Sequence, residues 1–132
     1  AVLRIKLKYL DEKNARRKEI ARRYCEALAD IKDITLPQKD EINCRSVYHQ
    51  FVIRTSKRDS LAAHLKSHGI DTGVHYPIPL HLQTPWKDNN FGTYNLPRAE
   101  RLAQEILSIP VFPELRDDEI DYIIESIKEF FK

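Results

Sequence analysis

The chain reads Ile70-Asp71-Thr72-Gly73-Val74-His75-Tyr76-Pro77-Ile78-Pro79-Leu80-His81-Leu82 through its middle. Residues 70–76 include β-branched and aromatic side chains in alternation, which is typical of a strand. The two prolines that follow lack amide donors for a sheet ladder, so the strand is predicted to end there in a stiff turn. Because ligands are often bound at strand ends in α/β domains, we expect this turn to carry ligand-facing side chains.

The segments on either side of the turn predict further strands and helices. Strands are predicted over 47–54, where apolar residues alternate, and over 107–112, which Pro113 ends. A long loop is expected over 77–95. Apolar residues recur at helical spacing in four segments: 1–29, 57–68, 95–106 and 117–131. The predicted fold class is therefore α/β, with a small sheet of about three strands packed with helices and preceded by a long N-terminal linking helix.

The organisation predicted from this pattern is a linking helix over 1–30 and a small α/β domain over 31–132. The first ten residues carry apolar side chains on more than one side of the helix, namely Leu3, Ile5, Leu7 and Tyr9. A helix of this kind is expected to contact another domain or subunit. The chain has no Met and begins at Ala1 without a capping residue, so we expect it to be part of a longer protein.

Composition excludes several classes of protein. The 132 residues, 42% hydrophobic and 32% charged with a net charge of +2, are ordinary for one soluble domain. Two cysteines are too few for a disulfide framework, which favours a reduced cytoplasmic setting. No apolar run approaches the roughly 18 residues of a membrane span. A run of basic residues is consistent with a solvated helix face, with nucleic-acid binding as the alternative: Arg16, Arg17, Lys18, Arg22 and Arg23.

The residues alone do not predict a complete catalytic site. His49, His75 and His81 could in principle bind zinc, but their spacing is loose and no acidic or thiol ligand is adjacent. A nucleophile elbow, a phosphate-binding glycine loop and an RNA-recognition signature are all missing. A self-standing module that binds a small molecule or a protein is therefore an alternative to an enzyme.

Three stretches in order resemble the C-terminal part of the DegT/DnrJ/EryC1/StrS family of nucleotide-sugar aminotransferases. They are the strand over 47–54, the segment from Gly69 to Gln83, and Ala103-Gln104-Glu105-Ile106-Leu107-Ser108-Ile109-Pro110-Val111-Phe112-Pro113-Glu114-Leu115. The opening residues 4–10 and the closing helix are also similar. The resemblance extends over essentially the whole chain, and the ordered set of motifs is more specific than any one of them.

The resemblance implies a cytoplasmic, homodimeric fold type I enzyme that depends on pyridoxal 5'-phosphate. Such an enzyme transfers an amino group, usually from glutamate, to a keto-sugar on a nucleoside diphosphate. The family's large domain supplies the Schiff-base lysine, and the small C-terminal domain closes the active site. No lysine here lies in a context that resembles the family's Schiff-base motif, so no catalytic residue and no bound cofactor are expected in this chain. Same-family dehydratases, which replace that lysine, remain an alternative.

The same resemblance implies which residues face the substrate. We expect His75, Tyr76 and His81 to contact it, because imidazole and phenol groups can donate hydrogen bonds to phosphate or sugar oxygens. Their loop is expected to be supported by Gly73, Pro77 and Pro79, of which Gly73 would allow close backbone approach. Tyr48 and His49 are weaker candidates, with ordinary strand packing as the alternative.

Overall fold

The structure is a computed structural model that describes residues 1–38, 44–89, 92 and 94–132, without the side chain of residue 87. It contains six α-helices, a short 3-10 helix and two strands within these residues. In chain order they are α1 (Val2–Leu7), α2 (Leu10–Leu28), β1 (Phe51–Arg54), α3 (Arg58–Ser67), the 3-10 helix (Leu80–Leu82), α4 (Thr84–Asp88), α5 (Pro97–Glu105), β2 (Ile106–Ile109) and α6 (Asp117–Phe130).

The single N-terminal helix predicted over 1–29 is two helices. Tyr9 has ψ 7°, outside the α-helical region, and this interrupts the ladder between α1 and α2. None of the α1 side chains is buried, and Leu3 remains 82% exposed. By contrast, α2 buries one face against the domain through Ile20, Ala21, Tyr24 and Leu28. The linking segment is therefore anchored only through its second part.

The described sheet has two strands, where the sequence predicted about three. β1 and β2 pair antiparallel, with Phe51 opposite Ile109. The predicted strand over 70–76 contributes a single bridge, in which Gly73 and Ser108 exchange backbone hydrogen bonds of 3.0 and 2.7 Å. Prolines 77 and 79 cannot donate to a ladder, so pairing does not extend along this edge. On the other side, Thr35 bridges Arg54.

Both strands are shorter than predicted for local reasons. Tyr48 has φ 48°, a left-handed conformation that interrupts an extended strand, and β1 begins only at Phe51. β2 ends at Ile109, immediately before Pro110, which lacks an amide hydrogen. The loop predicted over 77–95 contains the 3-10 helix and α4. These short elements give residues 80–82 and 84–88 a helical backbone.

The core lies where α2, α3 and α6 pack with the sheet. Its fully buried side chains are Ile20, Tyr24, Leu28, Phe51, Ile53, Leu61, Leu65, Leu107, Ile120 and Ile127. Each is worth roughly 1.5–3 kcal/mol of hydrophobic stabilisation. The apolar spacing of α3 and α6 gives each helix a buried face, with Leu61 and Leu65 on α3 and Ile120, Ile123, Ile124 and Ile127 on α6. On α5 only Ala103 is buried, whereas Leu102, and Leu96 just before the helix, remain exposed.

Ion pairs join α2 to the start of α6. The carboxylate of Asp117 accepts hydrogen bonds from Arg16 and Arg23 at 2.8 and 2.9 Å. Arg22 pairs with Glu26 one turn further along α2. Three members of the basic run therefore have partners within the domain, which weakens the case for nucleic-acid binding. The described part of the chain has no helix long and apolar enough to cross a membrane.

Candidate functional site

His75 is fixed to the sheet by the residue that also pairs with Gly73. The Nδ1 atom of His75 lies 2.9 Å from Oγ of Ser108, and Ser108 is 8% exposed. The imidazole lies directly over Gly73, where a Cβ atom would be 2.6 Å from Cε1 of His75. Gly73 therefore does allow a close approach, and the group that approaches is the ring of His75.

Tyr76 presents its side chain to solvent. It is 72% exposed, and its ring meets the His75 ring edge to face at a centroid distance of 5.7 Å. His75 is also exposed. The end of the predicted strand thus places one imidazole and one phenol together on the surface, where both can reach a ligand.

His81 is placed differently from the other two predicted residues. It is 8% exposed, and its Nε2 donates to Oε1 of Glu100 on α5 at 3.1 Å. The 3-10 helix that carries His81 begins after Pro79, whose carbonyl accepts a hydrogen bond from the Leu82 amide at 2.9 Å. His81 therefore ties the proline turn to α5.

Two grooves flank this turn. The apolar groove, of about 620 Å³, lies between the turn and α5 and is lined mainly by hydrophobic side chains: Tyr76, Ile78, Pro79, Leu80, His81, Gln83, Trp86, Tyr94, Leu96, Ala99, Leu102, Ala103 and Ile106. A second groove, of about 650 Å³, lies on the other side of the Gly73 bridge. Its lining is also mainly apolar, but it is called the polar groove because it includes more polar side chains, among them His49, Asp71, Thr72, His75 and Ser108. The three histidines considered for zinc are thereby divided, because His81 lines one groove whereas His49 and His75 line the other.

The two weaker candidates, Tyr48 and His49, lie in different environments. Tyr48 stacks on Phe51 at a ring-centroid distance of 6.2 Å and is half-buried against the core. His49 is exposed in the polar groove. Packing against the core therefore accounts for Tyr48, which lies outside β1, although not for His49.

A buried tyrosine, Tyr24, is hydrogen-bonded to Pro110, which lines the polar groove. The Tyr24 hydroxyl donates to the carbonyl of Pro110 at 2.9 Å, and Tyr24 is fully buried. Burial raises the pKa of this hydroxyl well above its usual range. Tyr24 therefore stays protonated and braces the chain after β2.

Sequence reasoning missed Ser108 and Glu100, the two residues that hold the histidines. Ser108 stands between Leu107 and Ile109 in an apolar strand. A lone hydroxyl in such a strand requires a hydrogen-bond partner when it is buried, and this was the available signal. Glu100 had no comparable signal, because acidic residues are ordinary on an exposed helix.

The sequence profile described as the DegT/DnrJ/EryC1/StrS aminotransferase family matches residues 1–128. The chain belongs to this family. Individual relatives agree with the match. The chain is 39% identical over 133 residues to a protein named "Pleiotropic regulatory protein" from Geobacillus stearothermophilus, covering 100% of this chain and 36% of that protein. It is 39% identical over 130 residues to the dTDP-3-amino-3,4,6-trideoxy-alpha-D-glucose transaminase of Streptomyces venezuelae, covering 98% and 34%.

A solved structure confirms the fold of this family member. The S. venezuelae protein DesV, in complex with a ketimine intermediate, superposes with a TM-score of 0.92 and is 38% identical, over 99% of this chain and 35% of DesV. The α/β class predicted from the sequence is therefore confirmed, whereas the three-stranded sheet is not. The chain spans about a third of the length of the relatives it matches.

Proposed function

We propose that the full-length protein is a pyridoxal-phosphate-dependent aminotransferase that moves an amino group from glutamate to a keto-sugar on a nucleoside diphosphate. The observation that carries the proposal is the family match over residues 1–128. The name of the S. venezuelae relative makes dTDP-linked sugars the first substrates to test. When bound, the cofactor would supply the electron sink for amino-group transfer. We also propose that the full-length protein is a homodimer, as the resemblance implies, and that it is cytoplasmic, since two cysteines are too few for a disulfide framework.

The residues described here do not fit the role of holding the cofactor. A Schiff-base lysine must be sheltered from water, yet no lysine whose side chain the structure describes is buried. We therefore propose that the Schiff-base lysine and the phosphate contacts belong to the rest of the full-length protein. The part played by this chain is to bind and orient the substrate.

We assign direct substrate contacts to His75 and Tyr76, and a positioning role to His81. Ser108 can donate to Nδ1 of His75, which leaves the proton of the neutral imidazole on Nε2. That Nε2–H and the exposed Tyr76 hydroxyl can then donate to diphosphate or sugar oxygens. His81 contributes indirectly, because its bond to Glu100 sets the path of the turn. Fixing the turn in advance lowers the ordering cost of binding.

An amination assay on the full-length protein tests the activity. The protein is supplied with pyridoxal phosphate, glutamate and a panel of nucleotide keto-sugars, and the amino sugar is detected by mass spectrometry. We expect amination of at least one dTDP-linked keto-sugar. Failure across the panel would contradict the proposal, and a deoxygenated sugar without amination would instead support a same-family dehydratase.

The same assay tests the assigned contacts. We expect His75→Ala to raise KM for the nucleotide sugar roughly 10- to 100-fold, since a hydrogen bond to a charged group is worth about 1.5–3 kcal/mol. Tyr76→Phe, which removes only the hydroxyl, is expected to raise KM by a smaller factor. Lys66→Ala on an exposed position of α3 is the control and should leave kcat and KM unchanged. Unchanged KM in both site variants would remove these residues from the substrate contacts.

A further inference from the structure

Two imidazoles and a carboxylate come together between α3 and α6, outside both grooves. One ligand atom from each of His64, His68 and Glu129 lies within 4.8 Å of the other two. Both histidines are half-buried, whereas Glu129 is exposed. Nothing in the proposed function uses this cluster, so its chemistry has to be considered separately.

The spacing of the histidines suits shared coordination of a metal ion. His64 lies on α3 and His68 is the C-cap residue that follows the helix. The four-residue spacing places both side chains on one face, with ring centroids 4.3 Å apart. Glu129 reaches them from α6, and its Oε2 lies 3.9 Å from Nε2 of His68. This separation is too long for a hydrogen bond. An ion bound to both atoms at about 2.0–2.2 Å would bridge it.

Each imidazole is already oriented as a metal ligand usually is. Nε2 of His64 lies 3.0 Å from the carbonyl oxygen of Ser126, and Nδ1 of His68 lies 2.9 Å from the carbonyl oxygen of His64. Because a carbonyl can only accept, these nitrogens carry the protons and the remaining nitrogen of each ring presents a lone pair. Histidine ligands in metalloproteins commonly donate their other N–H to a backbone carbonyl in this way.

The surroundings of the cluster limit how far the rings can move. The His64 ring packs against Phe130 at a centroid distance of 5.4 Å. The Tyr122 hydroxyl of α6 donates to the carbonyl of His68 at 3.2 Å, which holds the end of α3 against α6. The exposed Glu129 side chain is free to rotate the short distance needed to complete a site. The two imidazoles are therefore held in place, and one flexible ligand adapts.

We propose that His64, His68 and Glu129 bind one divalent transition-metal ion such as Zn²⁺. Two neutral imidazoles and one carboxylate match the nitrogen and oxygen ligands that Zn²⁺ prefers, and water completes the tetrahedron. The bound ion links the C-terminal end of α3 to the last turn of α6. Because only the folded chain brings the three ligands together, binding stabilises the fold. The site does not rest on the aminotransferase proposal.

Titration of the tag-free, metal-free chain with Zn²⁺ in a calorimeter tests the site. We expect one ion per chain and a rise in Tm on zinc addition. His68→Ala and Glu129→Gln should each weaken binding about tenfold or more and reduce that rise. Glu125→Gln, on the same helix but paired with Lys128, and His49→Ala, which removes an exposed imidazole, are the matched controls and should bind like the wild type.

Circular dichroism of each variant without metal separates loss of a ligand from loss of the fold. His68 is half-buried and Glu129 is exposed, so neither substitution removes a fully buried core side chain. We therefore expect the spectra of both variants to match that of the wild type. The proposal is overturned if the wild-type chain does not bind Zn²⁺. It is equally overturned if the folded His68→Ala and Glu129→Gln variants bind as tightly as their controls.

Discussion

Residue Gly73 combines two roles within one short contact. Its backbone bridges Ser108, its lack of a side chain leaves space for the His75 ring, and Ser108 in turn binds that ring. Gly73 does not have a positive φ, so its value lies in space and not in backbone freedom. The position of the His75 ring therefore depends on the absence of a Cβ atom at Gly73.

Replacing Gly73 by Ala is expected to push the His75 ring away from Ser108. The added Cβ would lie 2.6 Å from Cε1 of His75, closer than atoms tolerate. Because the exposed His75 ring can rotate away, we expect only the loss of its hydrogen bond to Ser108, about 0.5–1.5 kcal/mol in the free energy of unfolding. The His75 ring resonances, followed by NMR, should shift. Gly69→Ala is the control: it meets no atom within 4 Å but has φ 73°, so it should cost about 1–2 kcal/mol through the backbone and leave the His75 resonances unchanged. Identical His75 spectra for wild type and Gly73→Ala would contradict this account.

At the scale of elements, α6 begins at Asp117, the first residue of the segment predicted from apolar spacing. Arg116 is the N-cap, and its amide donates to Oε2 of Glu119 at 2.9 Å. Asp117 is therefore in the first turn, where a carboxylate complements the helix dipole. Asp117 also accepts hydrogen bonds from Arg16 and Arg23 of α2, so it stabilises both α6 and the packing of α6 against α2.

The ion pairs at Asp117 make the α2–α6 contact sensitive to acid. The Arg16 side chain is the main cause that holds the pKa of Asp117 below its usual value of 3.8. A lowered folded-state pKa means that the stabilisation is present above that value and is lost as pH falls through the folded-state pKa. Below about pH 4, stability should fall more steeply in the wild type than in Asp117→Asn, as measured by denaturant unfolding at successive pH values. Asp30→Asn, an exposed carboxylate after α2, should behave like the wild type. Equal slopes for wild type and Asp117→Asn would show that the pair has no such role.

Elements set by regular local sequence patterns were predicted better than features set by tertiary contacts. Helices α3 and α6 have regular apolar spacing, and Gly69 adopts the left-handed conformation expected after a helix, with φ 73°. β1 was predicted too long because the left-handed backbone of Tyr48 has no local sequence signal, whereas β2 was predicted too long because Pro110, a local signal, was placed inside the strand. His81 was predicted to face the substrate, as the family resemblance implies, but only the structure reveals its bond to Glu100.

At the scale of the whole molecule, large apolar surfaces remain uncovered. All of α1 is exposed, and the apolar groove has exposed aromatic and aliphatic side chains, including Tyr76, Leu80 and Tyr94. Contiguous apolar surface of this kind commonly marks an interface. Since the relatives are about three times as long as this chain, we expect the rest of the full-length protein to cover α1 and part of the apolar groove.

Hydroxyl-radical footprinting of the chain alone and within the full-length protein measures this coverage directly. The account predicts that Leu3, Leu7 and Tyr76 react readily in the isolated chain and are protected in the full-length protein. Buried Tyr24 should stay unreactive in both and serves as the internal reference. Equal reactivity of the three exposed side chains in both proteins would contradict the expectation that the rest of the full-length protein covers α1 and part of the apolar groove.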